Sequence, residues 1–146
     1  MRPALTMITL GVADLPRARA FYSETLGWRP VLDLPEVVFY DLAGFRLALF
    51  GEDALAADIG LPAARAATGF RGVTLAHNLN SRAAVDALFS ELAAKGVHIV
   101  KPPQAADWGG YSGYVADPDG HLWELAYNPA WRIDEASGRV AEDRPL

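Results

Sequence analysis

Residues 8–28 read ITLGVADLPRARAFYSETLGW, and residues 73–97 read VTLAHNLNSRAAVDALFSELAAKGV. Each stretch opens with alternating apolar and small or polar residues, a pattern typical of a half-buried strand. A polar turn follows, and then apolar residues recur at the spacing of a helix that packs on a sheet. Gly27 and Gly96 come next, and glycine suits the left-handed position that ends a helix. The chain therefore contains two copies of one strand–helix unit, in which Ile8 and Val73 take equivalent places.

Both predicted helices have a capping residue and an apolar stripe. Asp14 is the expected N-cap of the first helix, because its side chain can accept a hydrogen bond from a free backbone amide. Asn80 or Ser81 takes that place in the second helix. The residues expected to face a sheet are Ala18, Phe21, Tyr22 and Leu26 in the first copy, and Val85, Leu88, Phe89 and Leu92 in the second.

Three short strands are predicted after each helix. The last two strands of each copy are joined by a turn with favourable residues, DLAG in the first copy and DPDG in the second. Each copy therefore has the order β-α-β-β-β, and the whole chain forms one domain. The predicted strands lie near residues 29–32, 37–42 and 45–50, and near 98–101, 113–116 and 122–127. The modules cover about 5–50 and 70–128, with an alanine-rich connector at 51–69 and a C-terminal arm at 129–146 that packs on the surface or on a neighbouring subunit.

Composition excludes several classes of function. A net charge of −5 with no basic run argues against binding to nucleic acid, which needs clustered Lys and Arg. The absence of cysteine excludes thiol catalysis and thiolate metal sites. No signal peptide is evident, and no stretch approaches the roughly 18 apolar residues of a membrane span. We therefore expect a cytoplasmic protein that binds neither nucleic acid nor membranes.

Two stretches resemble signatures of the vicinal oxygen chelate superfamily, which includes glyoxalase I, bleomycin-resistance proteins and extradiol dioxygenases. LGVADLPRARAFYSETLGW, at residues 10–28, resembles its first strand and helix, and GYVADPDGHLWELAYNP, at 113–129, resembles its last hairpin and strand. The resemblance implies an α+β fold in which two βαβββ modules curl into an incomplete mixed β-barrel around a central cavity. It also implies a homodimer, whose modules pair either within one chain or between two.

The resemblance implies four positions for metal ligands, one on the first and one on the last strand of each module. In this chain they fall on Met7, Ala48, Gly72 and Glu124. Of these side chains, only the Glu124 carboxylate can bind a hard or borderline cation. A divalent site usually takes three or more protein ligands, so we expect no bound metal and no other cofactor.

Glu124 is the candidate catalytic residue. A glutamate in an apolar pocket has its charged form disfavoured, which raises its pKa towards the range of a general base. The alternative is an ancestral ligand position that now only bonds water or a nearby donor. Arg46, Ala48 and Phe50 are two residues apart along one predicted strand, so their side chains point to the same face. Arg46 is then placed to neutralise Glu124 or to hold an anionic substrate. The alternative is that Arg46 faces solvent.

The segment KPPQAADWGGYSGY, at residues 101–114, carries the aromatic candidates Trp108, Tyr111 and Tyr114. Flat aromatic faces suit planar ligands, but they equally cover a barrel mouth or a dimer seam. The predicted ligand-binding set is Met7, Thr9, Arg46, Ala48, Phe50, Gly72, Thr74, Trp108, Tyr111, Tyr114 and Glu124.

Three functions remain open at this point. The missing metal ligands favour a metal-free protein that binds a small aromatic or amphipathic molecule in the barrel cavity. The family resemblance also allows a divalent-metal-dependent lyase or dioxygenase, although fold alone does not confer function. The third possibility is a metal-independent isomerase or lyase that uses Glu124 as its base.

Overall fold

The computed structural model describes residues 5–60, 72–107 and 109–143 of the chain. It divides into two compact units, Met1–Arg71 and Gly72–Leu146. Each unit contains a four-stranded sheet and a helix between its first and second strands. The α+β fold and the two βαβββ modules predicted from the sequence are therefore confirmed.

The first unit has a sheet with strand order β1-β4-β3-β2. Strands β1 and β4 run parallel, and the other neighbours run antiparallel. A second helix leads from the sheet into the connector. The elements are β1 (Met7–Val12), α1 (Leu15–Ala20), a π-helical segment (Phe21–Thr25), β2 (Pro30–Asp33), β3 (Val37–Asp41), β4 (Arg46–Gly51) and α2 (Glu52–Ile59).

Helix α1 begins as predicted, but it does not continue as a regular α-helix. The Asp14 carboxylate accepts a hydrogen bond from the Arg17 amide at 2.9 Å. After Ala20 the chain widens into a π-helical turn, closed by a bond of 3.0 Å from the Leu26 amide to the Phe21 carbonyl. Leu26, which was predicted to face the sheet, is only half-buried at the end of this turn. The π-helical turn was not predicted.

The second unit repeats the arrangement with strand order β5-β8-β7-β6. Ser81, and not Asn80, caps its helix, since the Ala84 amide donates to Ser81 Oγ at 3.1 Å. Val73 lies just before the first strand and is 64% exposed, whereas Ile8 lies within β1, so Leu75, and not Val73 as predicted, takes the place equivalent to Ile8. The elements are β5 (Thr74–Asn78), α3 (Arg82–Ala94), β6 (His98–Ala105), β7 (Tyr111–Ala116) and β8 (Leu122–Tyr127).

The DPDG turn between β7 and β8 is held by the buried side chain of Asp117. Its Oδ1 accepts hydrogen bonds from the amides of Asp119 and His121 at 2.9 and 2.8 Å. The Gly120 amide closes the turn with a bond of 3.0 Å to the Asp117 carbonyl. These bonds fix which residues of β7 and β8 lie opposite each other.

The C-terminal arm is a short antiparallel hairpin of β9 (Trp131–Ile133) and β10 (Val140–Asp143). The Asn80 side chain attaches it to the loop before α3. It donates to the Ile133 carbonyl at 2.9 Å and accepts from the Ile133 amide at 2.8 Å. Ile133 is also buried. Packing of the arm on the surface of its own chain is thus observed within the second unit.

Each sheet has one face covered by the helix that follows its first strand. In the first unit the residues buried on this face are Leu10, Val12, Val38, Tyr40, Leu47 and Leu49, beneath Ala18, Phe21 and Tyr22. In the second unit they are Val115, Trp123 and Leu125, beneath Val85, Phe89 and Leu92. We call the opposite faces, which turn away from α1 and α3, the distal faces. Side chains alternate along a strand, so every second residue belongs to a distal face.

Candidate functional site

A single row of side chains crosses the distal face of the second sheet. Lys101 lies opposite Tyr114, Tyr114 lies opposite Glu124, and Glu124 lies opposite Ala76. Residues directly opposite on neighbouring strands place their side chains side by side on one face. The row therefore brings an ammonium, a phenol and a carboxylate together in that order.

Tyr114 links the two charged groups of this row. Its hydroxyl hydrogen-bonds the Glu124 carboxylate, and the Lys101 Nζ lies 5.9 Å from the centre of its ring. Burial, the negative charge of Glu124 and the hydrogen bond to it all raise the pKa of Tyr114. The phenol is accordingly protonated at neutral pH and donates to the carboxylate. A cation within about 6 Å of a tyrosine ring is attracted to the electron-rich ring face.

The first sheet carries an apolar version of the same row. Leu32, Phe39, Ala48 and Thr9 lie opposite one another on β2, β3, β4 and β1. The equivalent positions of the second sheet are held, in the same order, by Lys101, Tyr114, Glu124 and Ala76. The two copies share a backbone pattern, but only the second has titratable side chains in the row.

The predicted site residues of the first unit share the distal face of their sheet. Met7 and Thr9 on β1 lie opposite Arg46 and Ala48 on β4. Phe50 follows Ala48 by two residues, so its side chain is on the same face. Ala48 is buried, whereas Thr9 and Arg46 are exposed. These side chains therefore lie on one face, and their role in binding stays a prediction.

The predicted residues of the second unit divide between the two sides of the sheet. Thr74 and Glu124 share the distal face with Tyr114, as their alternation requires. Gly72 precedes β5, adopts a φ of +81° and contributes no side chain. Trp108 lies outside the described residues.

Tyr111 lies on the α3 side of its sheet and not with Tyr114. Its hydroxyl donates to Asp86 Oδ1 at 2.7 Å, and the Arg82 guanidinium lies 5.7 Å from the centre of its ring. The hydrogen bond to Asp86, followed by burial and the charge of Asp86, raises the pKa of Tyr111, while Arg82 opposes this shift. These contacts join β7 to the first turns of α3, which is a structural role.

His77 also lies off the distal face, because it is opposite Leu125 on β8. Desolvation by the surrounding protein atoms lowers the pKa of His77, although the residue as a whole is exposed. Neutral imidazole is therefore its favoured form at neutral pH.

The residues at the implied metal positions do not fit a divalent ion. Met7, Ala48 and Gly72 supply a thioether, a methyl group and no side chain, which leaves the Glu124 carboxylate as the single oxygen donor among the four. Across residues 5–60, 72–107 and 109–143, no three His, Cys, Asp or Glu side chains lie close enough to hold a metal ion. The donor set thus disagrees with the metal chemistry that the resemblance implies.

Sequence reasoning missed two parts of this site. It left Lys101 without a role, and it considered Arg46, but not Tyr114, as a partner of Glu124. The pairing of Tyr114 with Glu124 could have been predicted from the sequence, because the DPDG turn fixes which residues of β7 and β8 lie opposite each other. Within the described part of the chain, none of the helices has the length and apolar character needed to cross a membrane.

Comparisons with known proteins agree with this architecture. The profile of the Glyoxalase/Bleomycin resistance protein/Dioxygenase superfamily matches residues 4–125. A glyoxalase-related enzyme from Fulvimarina pelagi is 41% identical, with a TM-score of 0.82 over 97% of this chain and 99% of that one. A glyoxalase/bleomycin resistance protein/dioxygenase from Nocardioides is 28% identical, with a TM-score of 0.77 over 87% and 84%.

A lactoylglutathione lyase from Agrobacterium tumefaciens is 26% identical, with a TM-score of 0.69 over 92% of this chain and 100% of that one. Among curated proteins, none matches the chain significantly. The family profile covers most of the sequence, and these solved structures span nearly all of it. The chain therefore belongs to the glyoxalase/bleomycin resistance protein/dioxygenase superfamily.

Proposed function

We propose that this protein binds a small aromatic or amphipathic molecule on the distal face of its second sheet, without using a divalent ion. The observation that carries the proposal is the pairing of Tyr114 with Glu124 directly opposite each other on the distal face, where the phenol can also hydrogen-bond the carboxylate. Glu124 stands at the one implied ligand position that could hold a metal, and a single carboxylate falls short of the three or more protein ligands that a divalent site usually takes. The other three positions offer no suitable donor for such an ion.

The chemistry of Tyr114 and Glu124 supports recognition of an organic ligand. Both side chains are half-buried, so each remains accessible to a bound molecule. The tyrosine ring offers a flat apolar surface, and the carboxylate has acceptor capacity beyond its bond to the phenol. A few polar groups beside an apolar surface are typical of small-molecule sites.

A ligand panel measured in EDTA tests this proposal. We expect thermal shift to identify planar aromatic compounds that raise the melting temperature by mass action with no divalent ion present. Calorimetry should then show weaker binding to Tyr114→Ala, and unchanged binding to Tyr111→Phe. The second variant is a matched control, because it also loses a tyrosine–carboxylate bond on β7 but on the other side of the sheet. Binding that appears only after Zn²⁺, Ni²⁺ or Mn²⁺ is added would refute the proposal.

A metal-independent isomerase or lyase is the second candidate, and the same Tyr114–Glu124 pair favours it. Glu124 would take the proton from a carbon next to a carbonyl, the C–H electron pair would form the carbon–carbon double bond of an enolate, and the π pair of the carbonyl would move onto its oxygen. Tyr114 would then transfer its hydrogen bond from Glu124 to that oxygen, and the proton would return to carbon. Deuterium uptake by 2-hydroxyacetophenone in D₂O with EDTA, followed by NMR, tests this reaction. Uptake equal to that with Glu124→Gln excludes Glu124 as the base.

Homodimer formation is the remaining part of the proposal, and membership of the superfamily supports it. Light scattering at micromolar concentration should give twice the chain mass of 15.7 kDa. A monomeric mass at that concentration would reject it.

A further inference from the structure

The geometry points to a zwitterionic ligand for the Lys101–Tyr114–Glu124 row. In this arrangement the ligand's ammonium group binds Glu124, its carboxylate binds Lys101, and its carbon skeleton lies against the Tyr114 ring. This inference rests on the proposed function, because it assigns a class of ligand to the same distal face.

The order of charges in the row is the first argument. Lys101 and Glu124 lie on strands separated by one other strand, so their Cα atoms are about 10 Å apart at the usual strand spacing. Within the described ranges, neither side chain forms an ion pair with the other or with a neighbour. A singly charged ligand would be attracted by one of them and repelled by the other. A ligand with both charges satisfies both ends of the row.

The middle of the row is the second argument. The Tyr114 hydroxyl bonds Glu124, and its ring is half-buried, so part of the ring surface remains accessible beside Lys101. A carboxylate has two oxygens and about four acceptor sites, so one phenol bond leaves room for an ammonium group. Lys101 already places a cation near this ring at 5.9 Å. A ligand carboxylate that binds the Lys101 Nζ therefore comes to lie close to the Tyr114 ring.

The first sheet supplies the third argument. Leu32, Phe39 and Ala48 take the equivalent places there and build the same kind of sheet without any charge. Partial burial of charged and polar groups costs free energy, which an apolar row avoids. The sheet can therefore form without Lys101 and Glu124. We assign these two charged residues to ligand recognition.

Rigid benzene derivatives test the inference directly. The probe is 4-(aminomethyl)benzoate, which carries an ammonium group and a carboxylate at opposite ends of a planar ring. The comparison compounds are 4-methylbenzoate, which lacks the ammonium group, and 4-methylbenzylamine, which lacks the carboxylate. Affinities are measured by calorimetry in EDTA at pH 7. We expect the zwitterion to bind about tenfold more tightly than either singly charged compound, as charge-assisted hydrogen bonds predict.

Two variants assign each charge of the probe to one residue. Lys101→Met should abolish the preference for the zwitterion over 4-methylbenzylamine and keep the preference over 4-methylbenzoate. Glu124→Gln should do the reverse. Asp86→Asn is the control, since it changes a carboxylate that bonds β7 from the other side of the sheet, and it should leave both preferences intact.

The outcomes separate this inference from the proposed function. If the three compounds bind the native protein equally, and Tyr114→Ala still weakens all of them, the zwitterion inference is wrong and the proposed function stands. If none of them binds but a neutral aromatic compound from the panel does, the conclusion is the same. If neither these compounds nor the panel binds in EDTA, both fail.

Discussion

Gly113 is the residue whose substitution should disturb both the stability of the second sheet and its candidate site. A Cβ added at this position would lie 2.6 Å from the Lys101 carbonyl oxygen, 2.6 Å from Phe89 Cζ and 2.9 Å from the Pro103 nitrogen. Two of these atoms belong to the backbone of β6 and cannot rotate away. Gly113→Ala therefore requires β6 to move away from β7.

The cost follows from overpacking of a close-packed interior. Inserting a methyl group into such a site destabilises a protein by about 1–3 kcal/mol, and the backbone contacts put this variant near the upper end, about 3 kcal/mol. For a chain of this length, that loss lowers the melting temperature by roughly 6–12 °C. Because Lys101 lies on the displaced strand, its contact with the Tyr114 ring should also weaken.

Urea denaturation and calorimetry measure the stability change, and ligand binding in EDTA measures the effect on the site. Gly11→Ala is the matched control, because Gly11 is also a strand residue but its added Cβ would meet only Leu55 Cδ2 at 3.4 Å and Glu52 beyond that. We expect the control to change the free energy of unfolding by less than about 1 kcal/mol. A Gly113→Ala variant as stable as the native protein would refute the packing argument.

Three further predictions concern single side chains. Asn80→Ala should leave the amide and carbonyl of Ile133 unpaired and cost about 1–3 kcal/mol, with faster hydrogen exchange at Ile133 as the direct readout. Asp117→Ala removes an acceptor shared by two amides and should cost about 2 kcal/mol in chemical denaturation; an unchanged midpoint would count against the turn's role. Burial, the charge of Glu124 and their hydrogen bond raise the pKa of Tyr114, so the folded state keeps the phenol proton longer than the unfolded chain does. The free energy of unfolding should therefore decline as pH rises above about 10, and less steeply in Tyr114→Phe.

Local signals in the sequence predicted most of the fold. Asp14 and Gly27 bound the first helical region, and the DPDG turn sets the last hairpin, because each acts through contacts with residues close in sequence. The alternation along β4 and β8 correctly assigned side chains to faces. Alternation depends only on the pleat of the strand, so it requires no knowledge of the strand's neighbours.

Features that depend on distant residues were beyond reach of the sequence. Lys101 lies opposite Tyr114 only because the pairing of β6 with β7 shifts on both sides of Lys101. If residues were counted along β6 without these shifts, the wrong residue of β7 would be placed opposite Lys101. The two hydrogen bonds of Asn80 with Ile133 join residues 53 positions apart, and no local pattern marks that pairing.

The π-helical turn after α1 was missed for a different reason. Its sequence, FYSET, has the apolar spacing of an ordinary helix at its start. The wider turn appears together with the packing of Tyr22 against Trp28 and Tyr40, whose ring centres lie 5.5 and 5.9 Å from that of Tyr22. That aromatic cluster forms only when β3 is in place.

The contrast between the two sheet rows has a practical consequence for protein engineering. The chain carries the same arrangement twice, once as the apolar row Leu32–Phe39–Ala48 and once as the charged and polar row Lys101–Tyr114–Glu124. Randomising Lys101, Tyr114 and Glu124 would explore new specificities, and the first sheet shows that the same strand order forms with uncharged residues at the equivalent positions. Introducing Lys, Tyr and Glu at positions 32, 39 and 48 would test whether the apolar row of the first sheet can acquire ligand selectivity.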